Sequence, residues 1–272
     1  MQLQKKIAFI TGGGGGIGGG MAQAFAERGI KLILADVDIS YAQAMAAPFG
    51  DQAIAVELDV TSLSSWANAR KVAEQRFGAI DILCNNAGIS LPRVPLHELP
   101  PEQFARVMAV NVSGVYNGIV TFVPTMRERR SGHIINTSSI NGLLAHQTMA
   151  AYSASKFAVD GLSDALRDEL AAFGIGVSVL YPGLTRSRMS LSTESGANNN
   201  EIPREVLEAN MMDPLWIGRA VAHAIEANSP HIISHPGYLP AVEQRFARIV
   251  AAFGEPAQPG YRTGLSATKA NT

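Results

Sequence analysis

The sequence predicts an α/β fold, a doubly wound parallel sheet of about seven strands with helices on both faces. Short apolar runs alternate with longer amphipathic stretches through most of the 272 residues, which is typical of strands joined by crossover helices. Apolar residues make up 47% of the chain and charged residues 17%, a balance that favours a large folded core. The predicted strands are Ile7–Ile10, Leu32–Ala35, Ala53–Leu58, Ile80–Cys84, His133–Asn136, Val177–Tyr181 and His231–Ser234. The predicted helices are Met21–Arg28, Ser64–Phe77, Gln103–Arg129, Ser153–Ala172 and Leu215–Ala227.

Residues 1–253 are expected to form a single domain, since no repeat or low-complexity linker divides them. Residues 183–213 break the alternation and follow a strand, so they leave the sheet at its carboxyl edge, where ligands bind in open α/β sheets. We interpret them as a substrate lid, with a variable surface loop as the alternative. Residues 254–272, rich in Gly, Pro, Ser and Thr, are interpreted as a tail that is either disordered or packed on a neighbouring subunit.

Charge and cysteine content argue against several classes of protein. The chain has 22 Lys and Arg against 23 Asp and Glu, and a nucleic-acid-binding protein is expected to have a basic excess. The single cysteine, Cys84, excludes an intrachain disulfide and, with no Cys/His cluster nearby, argues against a metal-dependent dehydrogenase. The first apolar stretch is too short to span a membrane and lacks a cleavage-type sequence. We therefore expect a cytoplasmic protein without a membrane or nucleic-acid partner.

A glycine-rich turn connects the first predicted strand to the first predicted helix. The run matches G-x-G-x-x-G at Gly13, Gly15 and Gly18, and G-x-x-x-G-x-G at Gly12, Gly16 and Gly18. Glycines permit a sharp turn and a close approach to a pyrophosphate, and the helix N-terminus supplies free N–H groups. The match alone is weak in so glycine-dense a run, but the strand before it and the helix after it predict a Rossmann-type dinucleotide site.

An acidic residue ends the second predicted strand at the interval expected for a dinucleotide site. Asp36 lies 18 residues after Gly18, and a carboxylate there accepts hydrogen bonds from the adenosine ribose and repels a 2′-phosphate. Val37 follows it, and the glycine run contains no Arg or Lys, so NAD is favoured over NADP. The alternative is that Asp36 or Asp38 only caps the next helix.

Tyr152 and Lys156 form a Tyr-x-x-x-Lys pair on one face of a predicted helix. A free tyrosine has a pKa of about 10, and a nearby ammonium group stabilises the phenolate and lowers that pKa. Such a phenol can serve as a general acid or base. Ser139, at the end of a predicted strand, has a hydroxyl that can hydrogen-bond a substrate oxygen, and its spacing favours it over Ser138.

Together these motifs resemble the short-chain dehydrogenase/reductase family over essentially residues 5–235. The matching segments are Thr11-Gly12-x-x-x-Gly16-Ile17-Gly18, Asp59-Val60-Thr61, Asn85-Asn86-Ala87-Gly88, Val110–Gly114, Ser139, Tyr152-x-x-x-Lys156 and Pro182-Gly183. The resemblance implies a catalytic tetrad in which Tyr152 exchanges the proton with the substrate oxygen and Ser139 steadies that oxygen. Lys156 lowers the tyrosine pKa and holds the nicotinamide ribose, and Asn111 anchors a water that links Lys156 to solvent.

The resemblance also implies further cofactor contacts. Asp59 and Val60 lie beside the adenine, and Asn86, Ala87 and Gly88 line the cofactor. Where the family has an aliphatic residue and a threonine after Pro182-Gly183, this chain has Thr185 and Ser187. The backbone at 185 can still bind the carboxamide, and the Ser187 hydroxyl can replace that of threonine. Because both side chains depart from the family pattern, we expect looser contacts with the cofactor at these two positions. The long helices at Gln103–Arg129 and Ser153–Ala172 resemble a dimer interface, which implies a homodimer or homotetramer.

The substrate pocket is implied to lie near five residues, with further apolar side chains from Ile89 and from residues 188–216. The five are Asn141, His146, Met149, Leu184 and Met189. Such a lining favours a bulky hydrophobic secondary alcohol or its ketone, of aryl, steroid or lipid-like type. The alternatives are that the apolar side chains pack the lid itself and that His146 is structural.

Two stretches, Asn117–Arg127 and Gly132–Thr137, resemble bacterial family members that oxidise benzylic alcohols of lignin-derived aryl ethers. Two rival functions remain open at this stage. An NADPH-dependent ketone reductase is disfavoured by Asp36, and a non-catalytic NAD-binding regulator is disfavoured by the complete tetrad.

Overall fold

The computed structural model describes residues 1–191 and 204–254, and this part of the chain contains one sheet of seven parallel strands. The strands are β1 (Ile7–Thr11), β2 (Lys31–Asp36), β3 (Ala53–Glu57), β4 (Ile82–Asn85), β5 (Gly132–Thr137), β6 (Ile175–Tyr181) and β7 (His231–Ile233). Their spatial order is β3-β2-β1-β4-β5-β6-β7, so the order along the chain reverses between β1 and β4. The prediction of a doubly wound parallel sheet is confirmed, and ligands bind in such sheets where the strand order reverses.

Ten α-helices are described, and four of them have no counterpart among the predicted helices. The helices are α1 (Gly16–Ala26), α2 (Ile39–Ala46), α3 (Leu63–Phe77), α4 (Pro101–Met108), α5 (Gly114–Arg129), α6 (Ala150–Ala171), α7 (Arg188–Leu191), α8 (Arg204–Ala209), α9 (Pro214–Ala227) and α10 (Leu239–Val250). Helix α1 already begins in the glycine run, α2 was not predicted, and a π-helical turn at Ala109–Ser113 separates α4 from α5.

Contacts divide the chain into two compact units, 1–236 and a second that begins at Gly237 and contains α10. A single domain over residues 1–253 therefore stays a prediction. Of the predicted lid, residues 192–203 lie outside the described part of the chain, and of the predicted tail only Gly254 lies within it.

The strands bury side chains on both faces of the sheet. Along β1, Ala8 and Ile10 face one apolar cluster, whereas Ile7 and Phe9 face the other. The first cluster contains α1 and α9, which approach closely because both are glycine-containing: a Cβ at Gly20 would lie 2.1 Å from the Pro214 carbonyl oxygen. This close packing explains why a helix tolerates so many glycines despite their low helix propensity.

The stretch Pro101–Arg129 is long and apolar enough to cross a membrane by length and composition, with a mean hydropathy of 1.3 over its best window. Its buried polar residue Asn117 contacts the rest of the protein, donating to the Val60 carbonyl at 2.9 Å. Its apolar side chains Phe122 and Met126 are fully covered in the second apolar cluster. The stretch is therefore explained as helices that cover the sheet.

A buried histidine on β5 is hydrogen-bonded to a serine of β6. Burial lowers the pKa of His133 to about 4. Its Nε2 lies 2.8 Å from the Ser178 hydroxyl, which itself donates to the Ser229 carbonyl at 2.6 Å. The hydroxyl therefore accepts from Nε2–H, and the ring is neutral in the folded protein.

We expect the folded protein to lose stability as the pH falls from about 6.5, the pKa of a free histidine, to about 4. In that window the unfolded chain binds a proton that the folded chain does not, so the free energy of unfolding decreases by about 3 kcal/mol in total. Urea unfolding of the wild type and of His133→Gln across the window measures this, because glutamine keeps a donor for Ser178 but does not titrate. Equal pH slopes for the two proteins would contradict the assignment.

Candidate active site

The carboxyl ends of the central strands open into a cavity of about 460 Å³. The predicted cofactor residues that line it are Gly12, Gly16, Ile17, Asp36, Asp59, Val60, Asn86, Ala87, Gly88, Tyr152, Lys156, Pro182 and Ser187. The other three predicted cofactor residues, Gly18, Gly183 and Thr185, are not among the residues that line the cavity. A Cβ at Gly18 would lie 2.2 Å from the Gly12 carbonyl oxygen, and the buried Thr185 hydroxyl donates to the Gly183 carbonyl at 3.1 Å.

The glycine turn forms one end of the cavity. Gly12 has a φ of +63° and Gly16 a φ of +53°, which favour glycine, and a Cβ at Gly12 would lie 3.0 Å from the Ala87 Cα atom. Helix α1 begins here, and its N-cap, Gly15, offers no side chain to the first N–H groups. Close backbone approach and uncapped N–H groups are what a pyrophosphate requires, so this turn fits a dinucleotide.

Thr11 ties the ends of β1 and β4 together beneath that turn. Its hydroxyl oxygen accepts from the backbone N–H groups of Asn86 and Ala87, both at 2.9 Å, and donates to the Cys84 carbonyl at 3.3 Å. The Asn86 amide donates back to the Thr11 carbonyl at 3.0 Å. The two segments that line the cavity are thus held in a fixed relation. The sequence reasoning gave Thr11 no role, although it belongs to the matched motif.

Asp36 and Asp38 have different roles. Asp38 caps α2 by accepting from the Ser40 backbone N–H at 3.0 Å. The carboxylate of Asp36 accepts instead from Gly14 N–H at 3.0 Å and from Asp38 N–H at 3.2 Å, and it lines the cavity. Asp38 is therefore the residue that caps the next helix, and Asp36 is not.

Asp36 has a basic neighbour that is far away in the sequence. Arg188 on α7 places its Nη2 atom 3.9 Å from Asp36 Oδ2. Its guanidinium carbon lies 3.4 Å from the centroid of the Tyr41 ring. The argument for NAD from local sequence, that no base lies beside Asp36, is therefore wrong in three dimensions.

Lys156 and Tyr152 face the same end of the cavity from α6, as predicted. The Lys156 Nζ atom lies 5.6 Å from the Tyr152 ring centroid and donates to the Thr137 carbonyl at 2.9 Å. Burial lowers the pKa of Lys156 to about 8. Burial raises the pKa of Tyr152, and a hydrogen bond with Ser139 opposes that rise. The predicted lowering of the Tyr152 pKa is thus opposed by burial, and only added positive charge or hydrogen bonding can produce it.

The two adjacent serines are distinguished by their partners. The Ser138 hydroxyl donates to the Lys156 carbonyl at 2.9 Å and so fixes α6 to the end of β5. The Ser139 hydroxyl accepts from Asn141 N–H at 3.1 Å and is hydrogen-bonded to Tyr152. Ser139 also donates to the Pro182 carbonyl at 3.4 Å, and it is Ser138 that lines the cavity. That Ser139 shares a substrate oxygen with Tyr152 stays a prediction.

Asn111 lies in the π-helical turn, and its side chain is fully used by the protein. Its Oδ1 atom accepts from Ile89 N–H at 2.8 Å. Its Nδ2 atom donates to the Ile89 carbonyl and to the Ser155 hydroxyl, both at 3.0 Å. The side chain joins the loop after β4 to α6, so a water relay at this position would have to use the backbone of the π turn.

The predicted substrate residues do not all face the cavity. Met189 lines it, and Met149 shares a shallow neighbouring hollow with Tyr152. The Asn141 amide donates to the Ser153 hydroxyl at 3.3 Å, and Leu184 is held through its carbonyl, which accepts from Met212 N–H at 3.1 Å. His146 is exposed, with its Nδ1 atom 2.8 Å from the Gln147 carbonyl oxygen.

Most other apolar residues of the described lid pack elsewhere. Met211 is buried, and Met212 packs against the core cluster beside α1 and α9. Leu191 and Leu215 line a separate cleft along α1, and Trp216 is 62% exposed. The alternative, that these side chains pack the lid itself, is the better description of Met211 and Met212.

The sequence reasoning missed an apolar loop beside Tyr152. Leu91, Pro92 and Val94, which follow the Asn86-Ala87-Gly88 turn, line the hollow next to the tyrosine. Two prolines, Pro92 and Pro95, within six residues were the available signal for a rigid loop at this place.

Comparisons with known proteins identify the relatives of this chain. The sequence profile of short chain dehydrogenases matches residues 6–198. The chain is 32% identical over 264 residues to a C alpha-dehydrogenase of Sphingobium sp., covering 91% of this chain and 86% of that one. It is 39% identical over 185 residues to galactitol 2-dehydrogenase of Agrobacterium fabrum, covering 68% and 72%.

Among solved structures, the fold is similar to that of a short chain dehydrogenase/reductase from Burkholderia phymatum in complex with NAD. The TM-score is 0.84 and the identity 28%, with 95% of this chain and 99% of the other covered. The likeness to the C alpha-dehydrogenase confirms the resemblance to benzylic alcohol dehydrogenases predicted from the two sequence stretches.

Proposed function

Because the chain belongs to the short-chain dehydrogenase family and is an alcohol oxidoreductase, we propose that it interconverts a bulky secondary alcohol and its ketone with NAD, using Tyr152 as general acid–base. The main support for this proposal is the position of three elements of the site. Tyr152, Lys156 and the glycine turn line a single cavity at the point where the strand order reverses. The proton-transferring group and the dinucleotide cradle therefore share one space.

In this proposal each end of the cavity holds a different part of the cofactor. The glycine turn binds the pyrophosphate, Asp36 the adenosine ribose, and Asp59 and Val60 the adenine. Lys156 binds the nicotinamide ribose, while Thr185 and Ser187 lie near the carboxamide. Bound NAD supplies the acceptor for the hydride that leaves the alcohol carbon.

The residues of the chain move the proton and hold the oxygen. Tyr152 takes the hydroxyl proton during oxidation and returns it to the oxygen during reduction. Ser139 hydrogen-bonds the same oxygen. The Lys156 ammonium stabilises the phenolate form and so offsets the rise in the Tyr152 pKa that burial causes.

An aryl or similarly bulky apolar alcohol is the proposed substrate. The apolar Ile89 and Met189 line the cavity, and Leu91, Val94 and Met149 lie beside Tyr152. The likeness to the C alpha-dehydrogenase, which extends over 91% of this chain, supports the same class. A polar sugar alcohol is the second candidate, supported by the galactitol 2-dehydrogenase relative and by the packing of Met211 and Met212 away from the cavity.

We expect NAD reduction to be fastest with secondary aryl carbinols or hydroxysteroids in a series that also contains 2-propanol and galactitol. Closing apolar side chains over a large apolar group buries area worth roughly 25 cal/mol per Å², which a small polar alcohol does not provide. Initial rates of NADH formation give kcat/KM for each alcohol. Higher kcat/KM for 2-propanol or galactitol than for every bulky alcohol would rule out the large apolar substrate.

A variant pair tests the lining itself. Met149→Ala removes an apolar side chain beside Tyr152, and we expect it to lower kcat/KM for the aryl substrate more than for 2-propanol. Trp216→Ala removes an exposed apolar side chain and serves as the control.

A homodimer or homotetramer and a cytoplasmic location stay predictions.

A further inference from the structure

Arg188 lies beside Asp36 at the end of the cavity where we propose that the adenosine binds, although the two residues are far apart in the sequence. It lines the cavity together with Gly15, Gly16 and Asp36. It is supplied by α7, which follows β6, and not by the glycine turn or the residue after Asp36. This end of the cavity is therefore lined by a segment that follows β6 as well as by the glycine turn and by residues at the ends of β2 and β3.

The guanidinium group of Arg188 is oriented by its surroundings. Its carbon lies 3.4 Å from the Tyr41 ring centroid, a stacking distance for a planar cation on an aromatic face. The carboxylate of Asp36 lies on one side, 3.9 Å from Nη2. The pKa of Asp38 is lowered mainly by its hydrogen bond with the Ser40 side chain, and the positive charge of Arg188 adds a smaller contribution. Stacking and two negative charges thus hold the side chain over the β2–α2 turn although it is half exposed.

Toward the residues that the structure describes, the guanidinium of Arg188 makes an ion pair but donates no hydrogen bond. A separation of 3.9 Å from Asp36 is an ion pair but too long for a hydrogen bond. Within residues 1–191 and 204–254, no hydrogen bond from the Arg188 guanidinium is found. A guanidinium presents five N–H donors in a planar fork that matches a phosphate.

The neighbouring carboxylate marks the place where the 2′ position of an adenosine ribose is recognised. In Rossmann folds an acid at the end of the second strand binds the 2′-hydroxyl, and a nearby arginine accommodates a 2′-phosphate. Here both groups are present. Arg188 also neutralises part of the repulsion that Asp36 alone would exert on a 2′-phosphate.

We propose that Arg188, held on Tyr41 beside Asp36, is a cofactor-specificity residue that binds the 2′-phosphate of NADP, so that this site accepts NADP as well as NAD. The inference rests on the proposed function, because it requires that the cavity holds a nicotinamide dinucleotide. On this inference the protein does not bind NAD exclusively. Its cofactor preference depends on the opposing effects of the Asp36 carboxylate and the Arg188 guanidinium on a 2′-phosphate.

The test is calorimetric titration of the protein with NAD and with NADP in the absence of any alcohol, so that binding and not turnover is measured. We expect Arg188→Gln to weaken NADP binding about tenfold or more, the usual effect of losing a hydrogen bond to a charged group, and to change NAD binding by less than about threefold. Arg186→Gln is the matched control, since Arg186 is equally exposed, lies two residues earlier and pairs with Asp213 at 3.7 Å. We expect it to leave the ratio of the two dissociation constants unchanged.

A second pair of variants tests the stacking. Tyr41→Leu should weaken NADP binding selectively, because Arg188 loses its aromatic support, and Tyr41→Phe should not. Tyr41 is 45% exposed, so neither change is expected to unfold the protein.

The remaining outcomes contradict the proposal. Equal loss of both cofactors in Arg188→Gln would assign the residue to the shared pyrophosphate, and tighter binding of both would make it an obstruction. A wild-type protein that binds NAD but not NADP would overturn the inference and leave the proposed function standing. A protein that binds neither would overturn both.

Discussion

Tyr152→Phe is expected to abolish nearly all turnover while leaving the protein folded and able to bind NAD. The phenol oxygen is the proposed proton carrier, and loss of general acid–base assistance typically lowers a rate by about 10² to 10⁴. The ring, which packs beside Lys156 and lines the hollow with Leu91 and Met149, is kept. Single-turnover kinetics with an alcohol found in the substrate screen measure the chemical step directly.

Two controls separate loss of chemistry from loss of structure. NAD binding by calorimetry should be unchanged in Tyr152→Phe, because the cofactor contacts assigned to the glycine turn and Asp36 are untouched. Tyr238→Phe, which removes the same hydroxyl from an exposed tyrosine of the second unit, should keep wild-type activity. Retention of a third of the wild-type single-turnover rate by Tyr152→Phe would show that another group carries the proton.

The strands could be predicted because their side chains are buried on both faces of the sheet. Each predicted apolar run overlaps one of the seven strands, with errors of one or two residues at the ends. Helix α2 was missed because only Ala42 and Ala46 are buried on it, so it has no wide apolar stripe. The first turns of α1 were missed because glycine disfavours helices, and only contact with α9 explains their presence.

The positions of the candidate site residues could be predicted where those residues directly follow a strand. Parallel strands bring their carboxyl ends to one edge, so the residues after β1, β2, β4 and β5 must lie near one another. The role of Asp38 as a helix cap required only short-range geometry, since its partner Ser40 lies two residues further on. The partner of Ser138, the Lys156 carbonyl, lies 18 residues away on α6.

The rest depended on contacts between distant segments. Nothing near Asp36 in the sequence indicates that Arg188 lies beside it, since the two are brought together by the path of the chain after β6. The apolar residues Met211 and Met212 have a composition that suits either a pocket or a core, and composition cannot distinguish the two. The family resemblance implied a water-binding role for Asn111, which stays a prediction, whereas the hydrogen bonds of its side chain with Ile89 and Ser155 could not be predicted from the sequence.

Lys156→Met is expected to reduce the rate of alcohol oxidation about a hundredfold or more, because it removes the positive charge that stabilises the Tyr152 phenolate. Methionine keeps much of the volume of a side chain that is almost completely buried and whose Nζ atom bonds the Thr137 carbonyl at 2.9 Å. Lys71→Met, the same change at an exposed position on α3, is the control for folding and should be neutral.

The pH profile distinguishes an electrostatic role of Lys156 from a structural one. In the proposed mechanism oxidation requires the Tyr152 phenolate, so we expect the rate of oxidation to rise with pH through the pKa of that phenol. The ammonium favours the charged phenolate and lowers this pKa, whereas burial raises it. Without the ammonium, burial acts unopposed, and the rise in rate should move to higher pH in Lys156→Met.

The ratio of wild-type to variant rates should itself depend on pH. The pKa of Lys156 is about 8, so below that pH the wild-type side chain carries its charge and the ratio is largest. As the pH rises above 8, the wild type loses the charge that the variant already lacks, and the two rates should approach each other. A ratio that stays constant across this range, with the rise in rate at the same pH in both proteins, would mean that Lys156 acts only through its bond to the Thr137 carbonyl. In that case the phenolate would have to be stabilised by Ser139 and the bound cofactor alone.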